Sequence, residues 1–115
     1  MDLVISSLQN PKIKEVVKLR DRRAREESGL FVIEGYRELK RALDAGRQIQ
    51  TLFSCPEFFL GVNEDQIIHQ CKAALHLKCT SAVFAKISYR DRPDGLLAMA
   101  PQLHSTTCDR LWIFS

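Results

Sequence analysis

Apolar positions along the chain switch repeatedly between a helical period and short continuous runs, with turn-forming residues at each switch. Asn10-Pro11 opens the first helical stretch, because Asn caps free N–H groups and Pro is tolerated at the first helical position. Ile13, Val16 and Val17 then recur at helical spacing, and the pattern predicts a helix to about Arg25. At about 100° per residue, Lys14, Lys18, Arg22 and Arg25 fall on one stripe of that helix. Ile13, Val17 and Ala24 fall on another, and Asp21 lies within the basic stripe. Gly29 ends the helix, and residues 30–33 (LFVI) read as a buried strand. Glu34-Gly35 turns into a second helix whose buried face is Tyr36, Leu39 and Leu43, with Gly46 placed to end it.

The alternation continues. Residues 49–55 read as a strand closed by Pro56. Asn63 stands where it can cap a third helix, with Glu64 and Asp65 in the first turn and Ile67, Ile68, Cys71 and Leu75 as its apolar face. A strand at 76–79, a cap at Thr80 or Ser81, and a short helix bearing Val83, Phe84 and Ile87 follow. Pro93-Asp94-Gly95 marks a turn into a strand at 96–99. Residues 101–109 read as a linker and 111–114 as one more strand. A helix, three strand–helix repeats and a closing strand predict an α/β domain with helices on both faces of a small sheet. A strand beyond a linker at the end of the chain leaves two readings: the beginning of a second domain, or a last strand completing this sheet.

Composition adds location to this picture. Of the 17 Lys and Arg, seven (Lys12, Lys14, Lys18, Arg20, Arg22, Arg23, Arg25) fall within residues 11–27, beside four of the 14 acids. Ten of each sign remain elsewhere, so the net charge of +3 belongs to one segment. A localised positive charge points to a localised anionic partner, with nucleic-acid phosphate first. Arg offers a planar charged fork to phosphate oxygens and Lys a point charge. The bland alternative is a solvated helix face. Arg90 and Arg92 flank Asp91 in the last loop, as a second phosphate contact or as a plain turn with local ion pairs. Tyr36 and Tyr89 are candidates for stacking on bases, Tyr36 also for the core.

Other chemistry is sparse. The length of 115 residues predicts one domain with a real core. No apolar run approaches the roughly 20 residues of a membrane span, and the N-terminus lacks the basic and apolar regions of a signal peptide; a cytoplasmic protein without membrane partners is expected. Cys55, Cys71, Cys79 and Cys108 form no C-x-x-C pair, and His69, His76 and His104 complete no zinc pattern, so buried reduced thiols and no metal are expected. Glu34 has no evident catalytic partner; a structural role follows, as a cap on the next helix or a partner for an Arg. Gly35 fits a backbone angle closed to other residues, or a close approach. No catalytic residue is assigned.

Several pieces stand in a telling order: Ser7-x-x-Asn10-Pro11-Lys12-x-Lys14, Leu19-Arg20-x-Arg22-Arg23-x-Arg25 and Phe31-Val32-Ile33-Glu34-Gly35. Tyr36-Arg37-x-Leu39-x-x-Ala42-Leu43 and Asp94-Gly95-Leu96-Leu97-Ala98 follow. Together they resemble the N-terminal substrate-binding domain of the SpoU (TrmH) family of RNA 2′-O-ribose methyltransferases. The resemblance implies a three-layer α/β/α sandwich with a small mixed sheet, similar to ribosomal proteins that bind bent RNA. It implies an RNA-binding domain at residues 1–100, and at 101–115 a linker and the first strand of a knotted catalytic domain that binds S-adenosylmethionine. The expected partner is ribosomal or transfer RNA, and the parent enzyme a homodimer through that second domain. The family's Asn-x-Gly-x-x-x-Arg stretch is not in this chain, so no catalysis or cofactor binding is expected of these residues. A stand-alone RNA-binding protein of the ribosomal type is the alternative. A small α/β enzyme or ligand-binding domain is a third reading, unsupported by any Gly-rich phosphate loop or nucleophile–base pair.

Overall fold

Asn10 and Pro11 start the first helix as their chemistry requires: the Asn10 side chain accepts a hydrogen bond from the Lys12 N–H at 2.9 Å, and Pro11 occupies the first turn. The structure, a computed structural model, describes residues 4–61 and 63–102. Its elements are β1 (Val4–Ile5), α1 (Pro11–Lys18), α2 (Arg22–Ser28), β2 (Leu30–Glu34), α3 (Tyr36–Asp44), β3 (Thr51–Ser54), α4 (Glu64–Gln70), β4 (Leu75–Cys79), α5 (Ser81–Ile87) and β5 (Leu96–Pro101). A single 3-10 turn at Pro56–Phe58 follows β3.

The strands form one mixed sheet in the order β1-β4-β3-β5-β2. β4 pairs in parallel with β1 and β3, whereas β5 runs antiparallel between β3 and β2. Period-two alternation sends side chains to two cores. Leu97 and Met99 of β5, Phe53 of β3 and Cys79 of β4 meet Ile13, Val16 and Leu19 beside Val83, Phe84 and Ile87 of α5. On the other face Leu96, Ala98 and Ala100 of β5 and Leu52 of β3 meet Leu39 and Ala42 of α3 and Ile67 of α4. Helices therefore cover both faces, and the chain is the expected α/β/α sandwich. Phe53 and Phe84 are wholly buried, each stabilising the fold by about 1.5–3 kcal/mol relative to exposure.

The expected helix 11–25 is instead two helices. Leu19, Arg20 and Asp21 form three-residue turns, with N–H groups bonding back to Val16, Val17 and Lys18. Asp21 then caps a new helix by accepting from the Arg23 N–H at 3.1 Å. The break lets Leu19 enter the core at 2 % exposure, while Val17 is 39 % exposed and α2 buries no residue. A single wheel running from Lys14 to Arg25 does not exist, and the apolar stripe is Ile13, Val16 and Leu19 rather than Ile13, Val17 and Ala24.

Smaller departures have similar causes. The edge strand β1 is too short to show a period and was not expected. The strand expected at 49–55 pairs only over Thr51–Ser54. Leu75 opens β4 and is exposed, so it is not part of the α4 face. Asn63 stands at the start of α4 without a side-chain cap bond; Glu64 is buried and accepts from the Leu60 and Gly61 N–H groups instead. β5 runs on to Pro101, and the Gln102 N–H donates to the Gly29 carbonyl at 2.7 Å, so the fold includes the first two residues of the expected linker. Cys108, His104 and the expected strand 111–114 lie outside the described residues. No described helix is long and apolar enough to cross a membrane.

Candidate functional site

The basic segment folds against the loop between α5 and β5, 60 to 70 residues away in sequence. Arg20, in the break between α1 and α2, donates from Nη2 to the Lys86 carbonyl at 2.8 Å and the Ser88 carbonyl at 3.2 Å. These are among the carbonyls that a helix C-terminus leaves without internal partners. The same guanidinium lies over the Tyr89 ring, 5.1 Å from its centroid. Arg25 turns back to donate to the Leu19 and Arg20 carbonyls at 2.8 and 3.0 Å, which holds the break in shape. Tyr89 is half exposed. Partial burial pushes its hydroxyl up from the ordinary value, against the lowering pull of Arg20 and Arg25.

Glu34, at the end of β2, anchors this loop. Its carboxylate accepts from the Ser88 hydroxyl and from the Tyr89 N–H at 2.8 Å, and its own carbonyl accepts from Arg90 Nη2 at 3.0 Å. Glu34 does not cap α3. That task falls to Asp94, whose Oδ2 accepts from the Tyr36 N–H at 2.9 Å and lies 3.8 Å from Arg90 Nη1. Gly35 has φ +104°, and a Cβ there would stand 2.7 Å from the Arg90 guanidinium. The positive φ is what requires glycine here; the guanidinium is the end of a flexible side chain that could shift aside. β2 and β5 are neighbours in the sheet, which is why residues 34–36 meet residues 88–94.

The nine candidate basic residues separate into three groups. Arg20, Arg25 and Arg90 hold backbone carbonyls of the fold. Lys12 pairs with Glu15 at 3.2 Å in a partly buried contact and Arg22 with Glu26 at 3.1 Å in an exposed one, surface pairs of the kind worth about 0–1 kcal/mol. Lys14, Lys18, Arg23 and Arg92 are exposed with no partner among the described residues. α1 and α2 therefore carry their free cations outward, with the Arg20–Tyr89 stack beside them. An exposed aromatic ring among cations can stack on a base while its neighbours meet phosphate.

Two acids that the sequence marked only as helix and turn residues border a second feature. A cleft of about 510 Å3 opens between the first turns of α3 and α4, and its charged lining is Arg37 and Arg90 beside Glu38, Glu64 and Asp94. Glu64 Oε1 and Asp94 Oδ1 are buried there without a hydrogen-bond partner among the described residues. Nothing in the local sequence signals this. Cys55, Cys71 and Cys79 are buried free thiols, as expected, and burial, with a smaller contribution from Cys55, pushes Cys79 up to about 12. No group of three or more potential metal ligands occurs among the described residues.

Residues 10–98 match the model of a family described as the MRM3-like substrate binding domain. No curated protein matches the chain. Among solved structures, an RNA 2′-O ribose methyltransferase superposes with a TM-score of 0.75 at 37 % identity, over 90 % of this chain and 39 % of that one. An AdoMet-bound rRNA methyltransferase from Sinorhizobium meliloti superposes with a TM-score of 0.74 at 28 % identity, over 90 % of this chain and 38 % of that one. The SpoU methyltransferase AviRb from Streptomyces viridochromogenes, with AdoMet bound, has the same fold at 17 % identity, TM-score 0.67, over 81 % of this chain and 33 % of that one. The chain thus spans well under half the length of each of these structures.

Proposed function

Since the chain belongs to the MRM3-like substrate-binding domain family, we propose that it is the RNA-recognition part of an AdoMet-dependent RNA 2′-O-ribose methyltransferase. The parent enzyme transfers a methyl group to a ribose hydroxyl of ribosomal or transfer RNA. The match over residues 10–98 carries this reading. The resemblance of the fold to RNA methyltransferases supports it and weighs against a stand-alone binding protein.

The domain's contribution is positioning. Holding RNA in a fixed register converts a bimolecular encounter into a local one and lowers the barrier without breaking bonds. Lys14, Lys18, Arg23 and Arg92 meet phosphates directly. Lys12 and Arg22 exchange their surface acid partners Glu15 and Glu26 for phosphate at little cost. Arg20, Arg25 and Arg90 hold the surface in shape with one or two of their donors, leaving other N–H groups of the fork for RNA. Such contacts give affinity and register rather than base identity. The boundary with a catalytic domain falls near residue 100, and Gln102, the last described residue, is still tied to this fold through Gly29, Arg25 and Leu30.

We assign no described residue of this domain to AdoMet. The cofactor belongs to a separate catalytic domain, through which the parent dimerises. The enzyme works in the cytoplasm, away from membranes.

The salt dependence of RNA binding tests the assignment. For the Lys14→Ala/Lys18→Ala/Arg23→Ala variant, the slope of log K against log salt should shrink by about 2, at roughly 0.7 per lost contact to single-stranded RNA. Arg25→Ala is a poor substitute, because it also releases the α1–α2 break. An unchanged slope in the triple variant overturns the assignment.

A further inference from the structure

We infer that Tyr89 is where this domain takes one unpaired nucleotide of its RNA, stacking the base on its ring, so that the domain selects unpaired over paired RNA. The inference rests on the RNA-recognition reading and deepens it from affinity to selectivity. It begins with exposure. The described phenylalanines and Tyr36 are buried or partly buried against the two cores, whereas Tyr89 is 51 % exposed, the one exposed aromatic side chain among the described residues. An exposed apolar residue by itself is ordinary. This one is also held in place.

The backbone beneath the ring is pinned to Glu34 at three points. The Ser88 hydroxyl and the Tyr89 N–H donate to its carboxylate, and Arg90 donates to its carbonyl. The ring in turn meets Arg20, whose guanidinium lies over it, 5.1 Å from the centroid. Arg20 is itself anchored on the Lys86 and Ser88 carbonyls. A ring already fixed loses little further freedom when a ligand arrives, and that loss would otherwise weaken binding. The outcome is a supported aromatic platform with half of its residue surface open to solvent.

The charge around the platform selects the ligand. Arg20 and Arg25 lie close enough to the Tyr89 hydroxyl to act on it electrostatically. Lys86, in the last turn of α5, and Arg92 are exposed with no side-chain partner among the described residues. The nearby acids are mostly engaged: Glu34 is buried under its two donors and Asp21 caps α2. Asp91 is exposed, but it stands between Arg90 and Arg92 in the chain. A ring among cations fits a ligand that is flat at one end and anionic along its backbone, which describes a nucleotide. Bases within a duplex have both faces covered by their neighbours, so only a bulged, looped or terminal nucleotide can lay a face on this ring. Every base has such a face, so the contact tolerates any base and reads the unpaired state. Lys14, Lys18 and Arg23 meet phosphates, which paired and unpaired strands both carry, and they cannot supply this selectivity. Tyr89 touches the RNA, and Arg20 is a positioning residue that keeps the ring in place.

Three RNA hairpins with one stem test the assignment by fluorescence anisotropy at constant salt. One carries a single bulged adenosine, one an abasic bulge at the same position, and one no bulge. The abasic hairpin keeps every phosphate of the first and lacks only the base. The wild-type chain should bind the adenosine hairpin about tenfold more tightly than either of the others. Tyr89→Phe should keep that ratio, and Tyr89→Leu, similar in bulk but without an aromatic face, should lower it to about twofold or less. Both variants leave the backbone N–H bonded to Glu34 and remove no phosphate contact, so the urea midpoint and the salt slope should match wild type. Arg20→Lys keeps the charge but not the planar fork, and should lower the ratio to about threefold at an unchanged slope. An unchanged ratio in Arg20→Lys overturns the positioning role. Equal binding of the adenosine and abasic hairpins by wild type, or a full ratio in Tyr89→Leu, overturns the platform. The RNA reading stands in that case if binding still falls steeply with salt. Failure of all three hairpins to bind at low salt overturns both.

Discussion

Replacing Glu34 should separate a structural carboxylate from a chemical one. In Glu34→Ala the Ser88 hydroxyl and the Tyr89 N–H lose their acceptor. Hydrogen bonds to a charged group are each worth about 1.5–3 kcal/mol. Tyr89 is half exposed, so water recovers part of its loss, and a total near 3 kcal/mol is expected. In Glu34→Gln one amide oxygen still accepts from the Tyr89 N–H, and the Ser88 hydroxyl can rotate to accept from the amide. The cost should then fall to about 1 kcal/mol. Urea unfolding reads the difference. With a slope near 2 kcal/mol per molar, the midpoint should drop by about 1.5 M for Ala and about 0.5 M for Gln. RNA affinity measured well below the midpoint should be unchanged in Glu34→Gln. An Ala midpoint within about 0.3 M of wild type refutes the claim that this carboxylate anchors the 88–90 loop. Loss of RNA binding in a stable Gln variant would give Glu34 a direct role in binding.

Three further outcomes are expected. Gly95 has φ +84°, and a Cβ there would stand 2.5 Å from the Cys55 carbonyl oxygen, a backbone atom that cannot rotate away. Gly95→Ala should therefore cost more than the roughly 1–2 kcal/mol of a left-handed alanine and lower Tm by about 8 °C or more; a shift under about 3 °C refutes the close approach. Asp21→Ala removes the cap of α2 and should cost about 1 kcal/mol in urea unfolding while leaving α1 intact; no loss would mean that the break is held by Arg25 alone. Burial raises Cys79 to about 12 in the fold from an ordinary 9.0. The unfolded chain therefore releases its proton first, and stability contributed by the neutral thiol is complete below pH 9 and falls by up to about 1.4 kcal/mol per pH unit toward pH 12. Cys79→Val, which cannot ionise, should flatten that decline, and identical curves for the two proteins between pH 9 and 11 would contradict it.

What could be read without coordinates were interactions closing within about four residues. The Asn10 and Thr80 caps, the helix end at Gly29 and the apolar faces of α3 and α5 follow from local spacing, and each is found in the fold. The alternation of helices and strands implied the sandwich, because each element has one apolar face to hide. The positive charge of residues 11–27 needs no structure at all, since it is a count along the chain. Even here local reading failed: Asn63 makes no cap bond, and the single helix 11–25 is two. Asp21 can neutralise a basic stripe or start a new helix, and only the burial of Leu19 decides between them.

The site itself was decided by the order of the strands. Setting β5 beside β2 carries Ser88 and Tyr89 to Glu34, Asp94 to the start of α3, and the α5 carbonyls to Arg20, contacts that span 54 to 68 residues. Strand order depends on how all the apolar faces pack at once, and no short window of sequence holds that information. For the same reason the basic residues looked alike in the chain, whereas the fold assigns some to its own carbonyls and leaves others facing solvent. The buried oxygens of Glu64 and Asp94 are the clearest case. Whether a carboxylate has found its donors depends on neighbours brought together by tertiary packing, so the amino acids alone could name the acids but not what they lack.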